Sequence, residues 1–563
     1  MRRRAAAKGG DLLVVDSGDR VEGNGLYDAS TPKGIYTRRV LRQMDVDLLT
    51  PGNHELYSAA TALAEHRIMV PHFGARYLSS NIDIDVDIEV DIGGHGDSDN
   101  GRDEDADGDG RRWRPFANRS VTFTTPNLGL RVMAFGFLFN FTGNANNTRV
   151  RPVGAVVQEP WFQAAMAAAG ADGGVDLFVV AAHIDVHAPE LSLIHDAIRA
   201  AHPHTPIQFF GGHSHIRNFR VLDARSSALE SGRYCETVGF LSLSGIASSS
   251  QRGGAGEGTA SEAGLRTSRR YLDFNRAGFQ HHSGTTAATF DTARGLGLSA
   301  AMADYRRRLQ LDRLLGCAPR DLSLDRAPYP SPGNWYSYLA DHILPTMVRH
   351  RGTRGAVPRI ILINGGSQRF DVFRRFTVDS SFLVSPFDSR FVFARNVPWS
   401  VADRLLDYFN ADPSPYAAEA LAQGELPAVL RRHSDDDYTV PLDHQSSSLQ
   451  KPLLSRKRYA RIGGYTTKDD YGRTGDDTVH DVVTRYDTPK VLQSNASFPS
   501  AAPPQLVDVV FLDFIAPNVA AGLNRLSGGG PYTADGFESY MGPDDTLTAL
   551  IGAYAQRYWG REC

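Results

Sequence analysis

Residues 11 to about 225 repeat one pattern four times: a short apolar run of strand length, then a turn rich in Gly, Asn, His and Asp. The runs are Leu12–Val15 before DSGD, Val46–Leu49 before TPGNHE, Leu177–Val180 before AAHIDVH and Ile207–Phe210 before GGHSH. Apolar strands without polar alternation predict a sheet buried on both faces, with helices between the strands. The Ala-rich stretches Trp161–Ala169 and Leu191–Ala201 fit those helices. In open α/β sheets, functional groups gather beyond the carboxyl ends of the strands, and the histidines fall there.

Two segments interrupt the pattern. Asp83 to Asp109 starts as an Ile/Asp and Val/Asp alternation and becomes almost pure Asp, Gly, Asn and Glu, which predicts a solvated insertion over about 83–110. It lacks the regular EF-hand spacing. Ser248–Gly264, biased to Ser, Gly and Ala, reads as a second surface loop. From about Pro328 the texture is mixed α/β. Helices are expected near Trp335–Arg349 and Pro398–Phe409, and strands at Arg359–Ile363 and Val507–Ile515. The expected division is therefore 1–225, a connection 226–327 containing a helical Leu309–Leu315, and a second domain 328–563.

Length and composition agree with this reading. At 563 residues the chain is several times the ~150 residues typical of one domain. With 41% hydrophobic and 22% charged residues it is an ordinary globular protein, not a disordered, collagen-like or disulfide-framework chain. A formal charge of -4 supplies no general attraction for nucleic acid or an acidic membrane, so phosphate specificity would need a local site. No run approaches the roughly 18 apolar residues of a membrane span.

A hydrolytic metal centre needs neutral or anionic ligands converging from separate segments. The four turns offer such a set: Asp19 in SGDRVEG, Asn53 in GNHE, His183 in AAHIDVH, and His213 and His215 in GGHSH. Gly18, Gly52 and Gly212 let the chain turn sharply straight after each strand. Gly18-Asp19, Gly52-Asn53-His54-Glu55, His183 and Gly212-His213-Ser214-His215 resemble the signatures of the metallophosphoesterase (calcineurin-like) superfamily, and within it the 5'-nucleotidase branch. The longer strings DSGDRVEGNGLYDAS and GNHELY are similar to a fungal-type group of that branch. The resemblance implies a four-layer α/β/β/α sandwich followed by a mixed α/β 5'-nucleotidase-like domain. It also implies two divalent ions (Zn, Mn, Fe, Co or Mg), bridged by Asp19; Asn53, His183 and His213 would bind one and His215 the other. His54 would stabilise the transition state or protonate the leaving oxygen.

Two departures from the family pattern stand out. The superfamily's first strand ends in Asp-x-His, and no such motif precedes Asp11; the expectation is a missing first strand, with weak metal binding or inactivity in this form. Bacterial-type members read GNHEFD, whose Asp orients the catalytic imidazole, whereas this chain has Tyr57. Glu22, three residues after Asp19, either takes over that role or is an ordinary exposed residue.

In the second half, INGGSQRFD over Ile363–Asp371 resembles the N-G-G-x-I-R segment of the 5'-nucleotidase C-terminal domain, and VSPFDSRFVF its continuation. Asn364, Gly365, Gly366 and Arg369 become candidate substrate contacts, Arg369 through its planar fork. Phe537, in LSGGGPYTADGF, is either the family's base-stacking aromatic or a core residue, and Tyr465 is a weaker candidate. The implied activity is phosphomonoester hydrolysis on a nucleotide or similar small phosphorylated metabolite. The alternatives are phosphodiester hydrolysis on the same centre and a metal-free binding protein. No phosphate loop, nucleophile elbow or C-x-x-C pair points elsewhere. Cys317 and Cys563 would pair in an oxidising compartment, leaving Cys235 free and buried. Glycosylation triplets begin at Asn118, Asn140, Asn146 and Asn495, which predicts a secretory, vacuolar or extracellular protein; MRRRAAAKGG, with no signal stretch, predicts a cytoplasmic one if it is the native start.

Overall fold

The computed structural model describes residues 1–87, 112–171, 174–246, 265–411, 461–462, 468–469, 482–483, 486–495, 498–499 and 501–563. Most of the acidic insertion, the 248–264 loop and Tyr465 lie outside the described residues.

The first half is organised by a seven-stranded sheet. Its order is Lys468–Asp469, Ile216–Asp223, Ser226–Ser231, Ile207–Phe210, Leu177–His183, Arg131–Leu138 and Ser120–Thr124. Neighbours among Arg131–Leu138, Leu177–His183 and Ile207–Phe210 run parallel. The apolar runs are explained by burial on both faces. Met133, Phe135 and Phe137 enter one core while Val132 and Ala134 enter another, and Phe178 and Val180 alternate in the same way with Leu177 and Val179. The larger core is covered by helices Pro160–Gly170 and Pro189–Ala201. These contribute Phe162, Met166 and Ala169, and Leu191, Ile194 and Ile198, each a stripe at helical spacing. The smaller core is closed by Leu48 and Leu78, with Val15 packed against it. The short strands Val15–Asp16 and Leu48–Leu49 pair in parallel there. Two sheets back to back with helices outside is the sandwich expected from the motifs.

Arg131–Leu138, paired between Leu177–His183 and the edge strand Ser120–Thr124, is an internal strand beyond the four expected. Two other local expectations change. Ile82–Asp85 is a buried strand, not the start of an insertion; Asp83 is paired with Arg119 at 3.2 Å and Arg149 at 3.4 Å, so its carboxylate is tolerated inside. Leu309–Leu315 is not helical. The helix is Ala293–Arg308, Gln310 turns back with φ +53°, and the strand Leu314–Cys317 follows. Strand Ser226–Ser231 sits inside the seven-stranded sheet, so that unit continues past residue 225.

The second half has a five-stranded sheet ordered Val491–Asn495, Arg359–Asn364, Leu506–Leu512, Phe391–Pro398 and Glu538–Ser539. It too is buried on both faces: Ile361 and Ile363 point into one cluster, Ile360 and Leu362 into the other. Trp335–Met347 is helical throughout, in three consecutive segments. Helix Leu547–Tyr558 packs on the first face, and beyond it Cys563 is disulfide-bonded to Cys317, with Cα atoms 5.3 Å apart. Cys235 is the free cysteine, and it is exposed, not buried: it stands in a turn where Tyr234 and Cys235 both have positive φ. Polar contacts are among those that join the two halves. Gly25 N–H donates to Asp379 Oδ1 at 2.9 Å, and Lys33 pairs with Asp388 at 2.5 Å. Among the described residues, no helix is long and apolar enough to cross a membrane.

Candidate metal centre

The site is built where two turns touch backbone to backbone. A Cβ on Gly18 would lie 2.4 Å from Gly52 N, and one on Gly52 would lie 2.1 Å from Asp19 Oδ1, so both positions require glycine. Glu55, fully buried, holds the turns together. Its Oε2 accepts the N–H groups of Asp19 at 2.9 Å and Gly52 at 2.6 Å, and its Oε1 accepts that of Arg20 at 2.7 Å. Arg20 is buried beside it, donating to Asp16, to the Thr50 carbonyl and to the Tyr77 hydroxyl. Asp19, Glu22, His213 and His215 all adopt positive φ, from 59° to 79°. Such strain in non-glycine residues persists only where surrounding contacts enforce it, and it clusters at functional sites.

From these turns three side chains converge. Asp19, His183 and His213 each aim one ligand atom into a space where all three lie within 4.8 Å of one another. His183 Nε2 is 3.0 Å from Asp19 Oδ2 and 3.3 Å from His213 Nδ1. Asn53 completes the group with Oδ1 3.1 Å from His183 Nε2. The opposite ring nitrogen of His183, Nδ1, donates to the Ser17 carbonyl at 2.7 Å, which leaves Nε2 as the ligand atom. One carboxylate, one amide oxygen and two imidazoles fit a divalent cation. His215 stands apart from this group, its ring edge-on to Tyr234 at 5.6 Å. Among the described residues, this is the one group of three or more His, Cys, Asp or Glu side chains with metal-ligand spacing.

His54 flanks the cluster. Its backbone N–H donates to Asp19 Oδ1 at 2.9 Å, its Nε2 is 3.8 Å from Asp19 Oδ2, and its Nδ1 is 2.6 Å from Glu22 Oε2. Glu22 therefore meets the imidazole that the Asp of GNHEFD would orient. Burial works against the charged imidazole, but the Asp19 charge and the Glu22 bond outweigh it and raise the His54 pKa. Burial likewise works to raise the Asp19 carboxyl, and the neighbouring His183 and His54 charges hold it well below the usual range instead. Tyr57, the residue in place of that Asp, contacts Asn53: Asn53 Nδ2 donates to its hydroxyl at 2.9 Å.

The second half supplies a wall. Phe387 stacks over His54 with centroids 6.0 Å apart, and the Arg369 guanidinium lies 5.1 Å from the Phe387 centroid. Asn364 is buried at the end of its strand. Gly365 is pressed against the Pro489 carbonyl, 2.2 Å from where a Cβ would be; Gly366 follows it in the same turn, half-buried. Phe537 packs edge-on against Phe511 at 4.8 Å, in the C-terminal core. Phe387, between Pro386 and Asp388, belongs to no local pattern that the sequence could mark. Glu55 and Tyr57 were missed as contacts because their partners are set by the tertiary fold.

Comparison with known proteins agrees with this architecture. Residues 321–520 match the family model for the NAD nucleotidase C-terminal domain. The chain is 35% identical over 582 residues to an uncharacterised protein of Schizosaccharomyces pombe, covering 100% of this chain and 86% of that one. It is 34% identical to a secreted protein of Arthroderma benhamiae, covering 99% and 85%. The crystal structure of 5'-nucleotidase from Candida albicans superposes with a TM-score of 0.79 at 33% identity, covering 99% of this chain and 92% of that one. A 5'-nucleotidase precursor from Thermus thermophilus, at 14% identity and a TM-score of 0.50, shares the fold. The sandwich, the strand-end donors and the C-terminal α/β unit together define a phosphoesterase of the hydrolase class. The chain belongs to the 5'-nucleotidase-like family of metallophosphoesterases.

Proposed function

We propose that the protein is a metal-dependent phosphomonoester hydrolase that releases phosphate from a nucleotide or a similar small phosphorylated metabolite. The observation that carries the proposal is the convergence of Asp19, Asn53, His183 and His213 beside a His54 held by Glu22. A divalent ion bound there supplies positive charge for the phosphoryl group and acidifies water. Zn, Mn, Fe, Co and Mg all accept such mixed donors. Of two ions, these four residues would hold the first, and Asp19 and His215 would hold the second. Glu22 accepts from Nδ1 of His54 and, with Asp19, favours the imidazolium, the form in which Nε2 also carries a proton for the leaving oxygen. Arg369 faces the phosphate with its planar fork, and Phe387 offers an aromatic face to a base. Asn364, Gly365 and Gly366 shape the turn behind them.

The Cys317–Cys563 disulfide and the secreted relative support maturation in the secretory pathway, with the vacuole or the exterior as destination. The two-unit division, with the first unit extended through Ser231, is part of the same proposal. The test is phosphate release from AMP, ribose 5-phosphate, an aryl phosphate and a cyclic nucleotide, with His54→Ala and Asn53→Ala as controls. AMP should be hydrolysed fastest, with both variants slowed at least about 100-fold. Preferential opening of the cyclic nucleotide would show phosphodiester chemistry instead.

A further inference from the structure

Asn53 can serve a cation only through Oδ1; its Nδ2 carries two hydrogens and no lone pair for a metal. The side chain is buried, so the orientation of its amide depends on what each end meets. Nδ2 donates to the Tyr57 hydroxyl at 2.9 Å while Oδ1 faces His183 Nε2 at 3.1 Å. The alternative orientation would turn Nδ2 toward His183 Nε2. That nitrogen can accept, because His183 Nδ1 is the one that donates to the Ser17 carbonyl. Without the Tyr57 oxygen, the amide hydrogens would sit among rings: Tyr57 itself packs edge-on against His54 at 5.0 Å, Phe141 at 5.5 Å and Phe514 at 6.2 Å. Burying an amide N–H without an acceptor is costly, so the amide would then turn and place nitrogen where the ligand oxygen belongs.

We infer that Tyr57 is a positioning residue for the metal centre: its hydroxyl oxygen holds the Asn53 amide with Oδ1 toward the cation. The exchange of Asp for Tyr after GNHE is then a reassignment, in which Glu22 takes the imidazole and Tyr57 takes the amide. This rests on the metal-centre reading above.

The test uses Tyr57→Phe, which keeps the ring and its packing and removes only the hydroxyl. Cobalt(II) binding is measured by titration of its visible absorption in wild type, Tyr57→Phe, Asn53→Ala and the double variant. Loss of a group that orients a ligand typically weakens metal affinity by about 10–100-fold, and Tyr57→Phe should do so. In the Asn53→Ala background the same change should alter the dissociation constant by less than about 2-fold, since no ligand oxygen remains to be oriented. Equal weakening in both backgrounds would show that Tyr57 acts through the fold or through His54, and would overturn the inference. So would Tyr57→Phe binding cobalt as tightly as wild type. If wild type itself shows no cobalt spectrum, the metal-centre reading fails before this one is reached.

Discussion

Glu55→Gln is the sharpest probe of how the centre is held. The carboxylate makes three charge-assisted bonds to backbone N–H groups: two through Oε2, from Asp19 and Gly52, and one through Oε1, from Arg20. Glutamine has the same shape but one oxygen. With that oxygen in the Oε2 position, its NH2 confronts the Arg20 N–H, donor against donor. The lost bond is worth roughly 1.5–3 kcal/mol, and the buried donors left without acceptors cost about 1–3 kcal/mol more. The local penalty is therefore about 3–5 kcal/mol. A chain with more than one cooperative unit need not report such a loss as a single unfolding transition. The assay is amide hydrogen exchange, in which the Asp19, Arg20 and Gly52 amides of the variant should exchange at least about 100-fold faster, at 1.4 kcal/mol per factor of ten. Metal affinity should fall in parallel, because Asp19 and Asn53 ride on the two turns. Protection within about 3-fold of wild type would refute the view that Glu55 joins the turns.

Three further outcomes follow from the same contacts. Gly18→Ala should cost about 3 kcal/mol or more and weaken metal binding, because the new Cβ meets Gly52 N at 2.4 Å; Gly23→Ala, with φ +85° but nothing within 4 Å, should cost only about 1 kcal/mol, with thermal denaturation as the check. Thr548→Val removes a hydroxyl that donates to the Ser385 carbonyl and, at 3.1 Å, to the Phe387 carbonyl. It should raise KM for a nucleotide about 5–10-fold and KM for ribose 5-phosphate less, since a loose Phe387 weakens the support of His54 and Arg369 for both substrates but costs a base contact only with the nucleotide. Burial pushes the Asp223 carboxyl up, but the Arg225 N–H, His195 and Arg199 outweigh it and hold it at about 2. A depressed carboxyl contributes stability above its unfolded pKa, and that contribution disappears as pH falls through the folded value. Asp223→Asn should therefore cost about 1 kcal/mol near neutrality after solvent screening, a cost that shrinks as pH falls toward about 2 and vanishes only below it, measured as unfolding midpoints across that range.

Much of the site was legible because its ligands follow apolar strands and sit beside glycines. Asn53, His183 and His213 lie together with Asp19, the grouping that the resemblance to the metallophosphoesterases implied. What local pattern could not show was pairing across the fold. Glu22 reaches the imidazole, one of the two readings its position allowed, while Tyr57, standing where the Asp of GNHEFD would be, reaches the Asn53 amide instead. Arg131–Leu138 runs on into Phe139, Asn140 and Phe141, not into a glycine turn, so nothing marked it as a strand of the same sheet. Ile82–Asp85 resembled a solvated repeat because its buried carboxylate is matched by arginines 36 and 66 residues away. The helix expected at Leu309–Leu315 lies just before it, at Ala293–Arg308, because the left-handed Gln310 that follows it has no glycine to announce the turn.

The central claim is that Asp19, Asn53, His183 and His213 form a metal-dependent phosphomonoesterase centre. It is tested most directly by AMP hydrolysis in wild type and His183→Ala after chelator treatment and stepwise return of Mn²⁺. Wild type should regain phosphate release with the added ion while His183→Ala, equally folded, stays at least about 100-fold slower at any Mn²⁺ concentration that saturates wild type. Turnover of the chelated wild type at full rate, or of His183→Ala at the wild-type rate, would contradict the account.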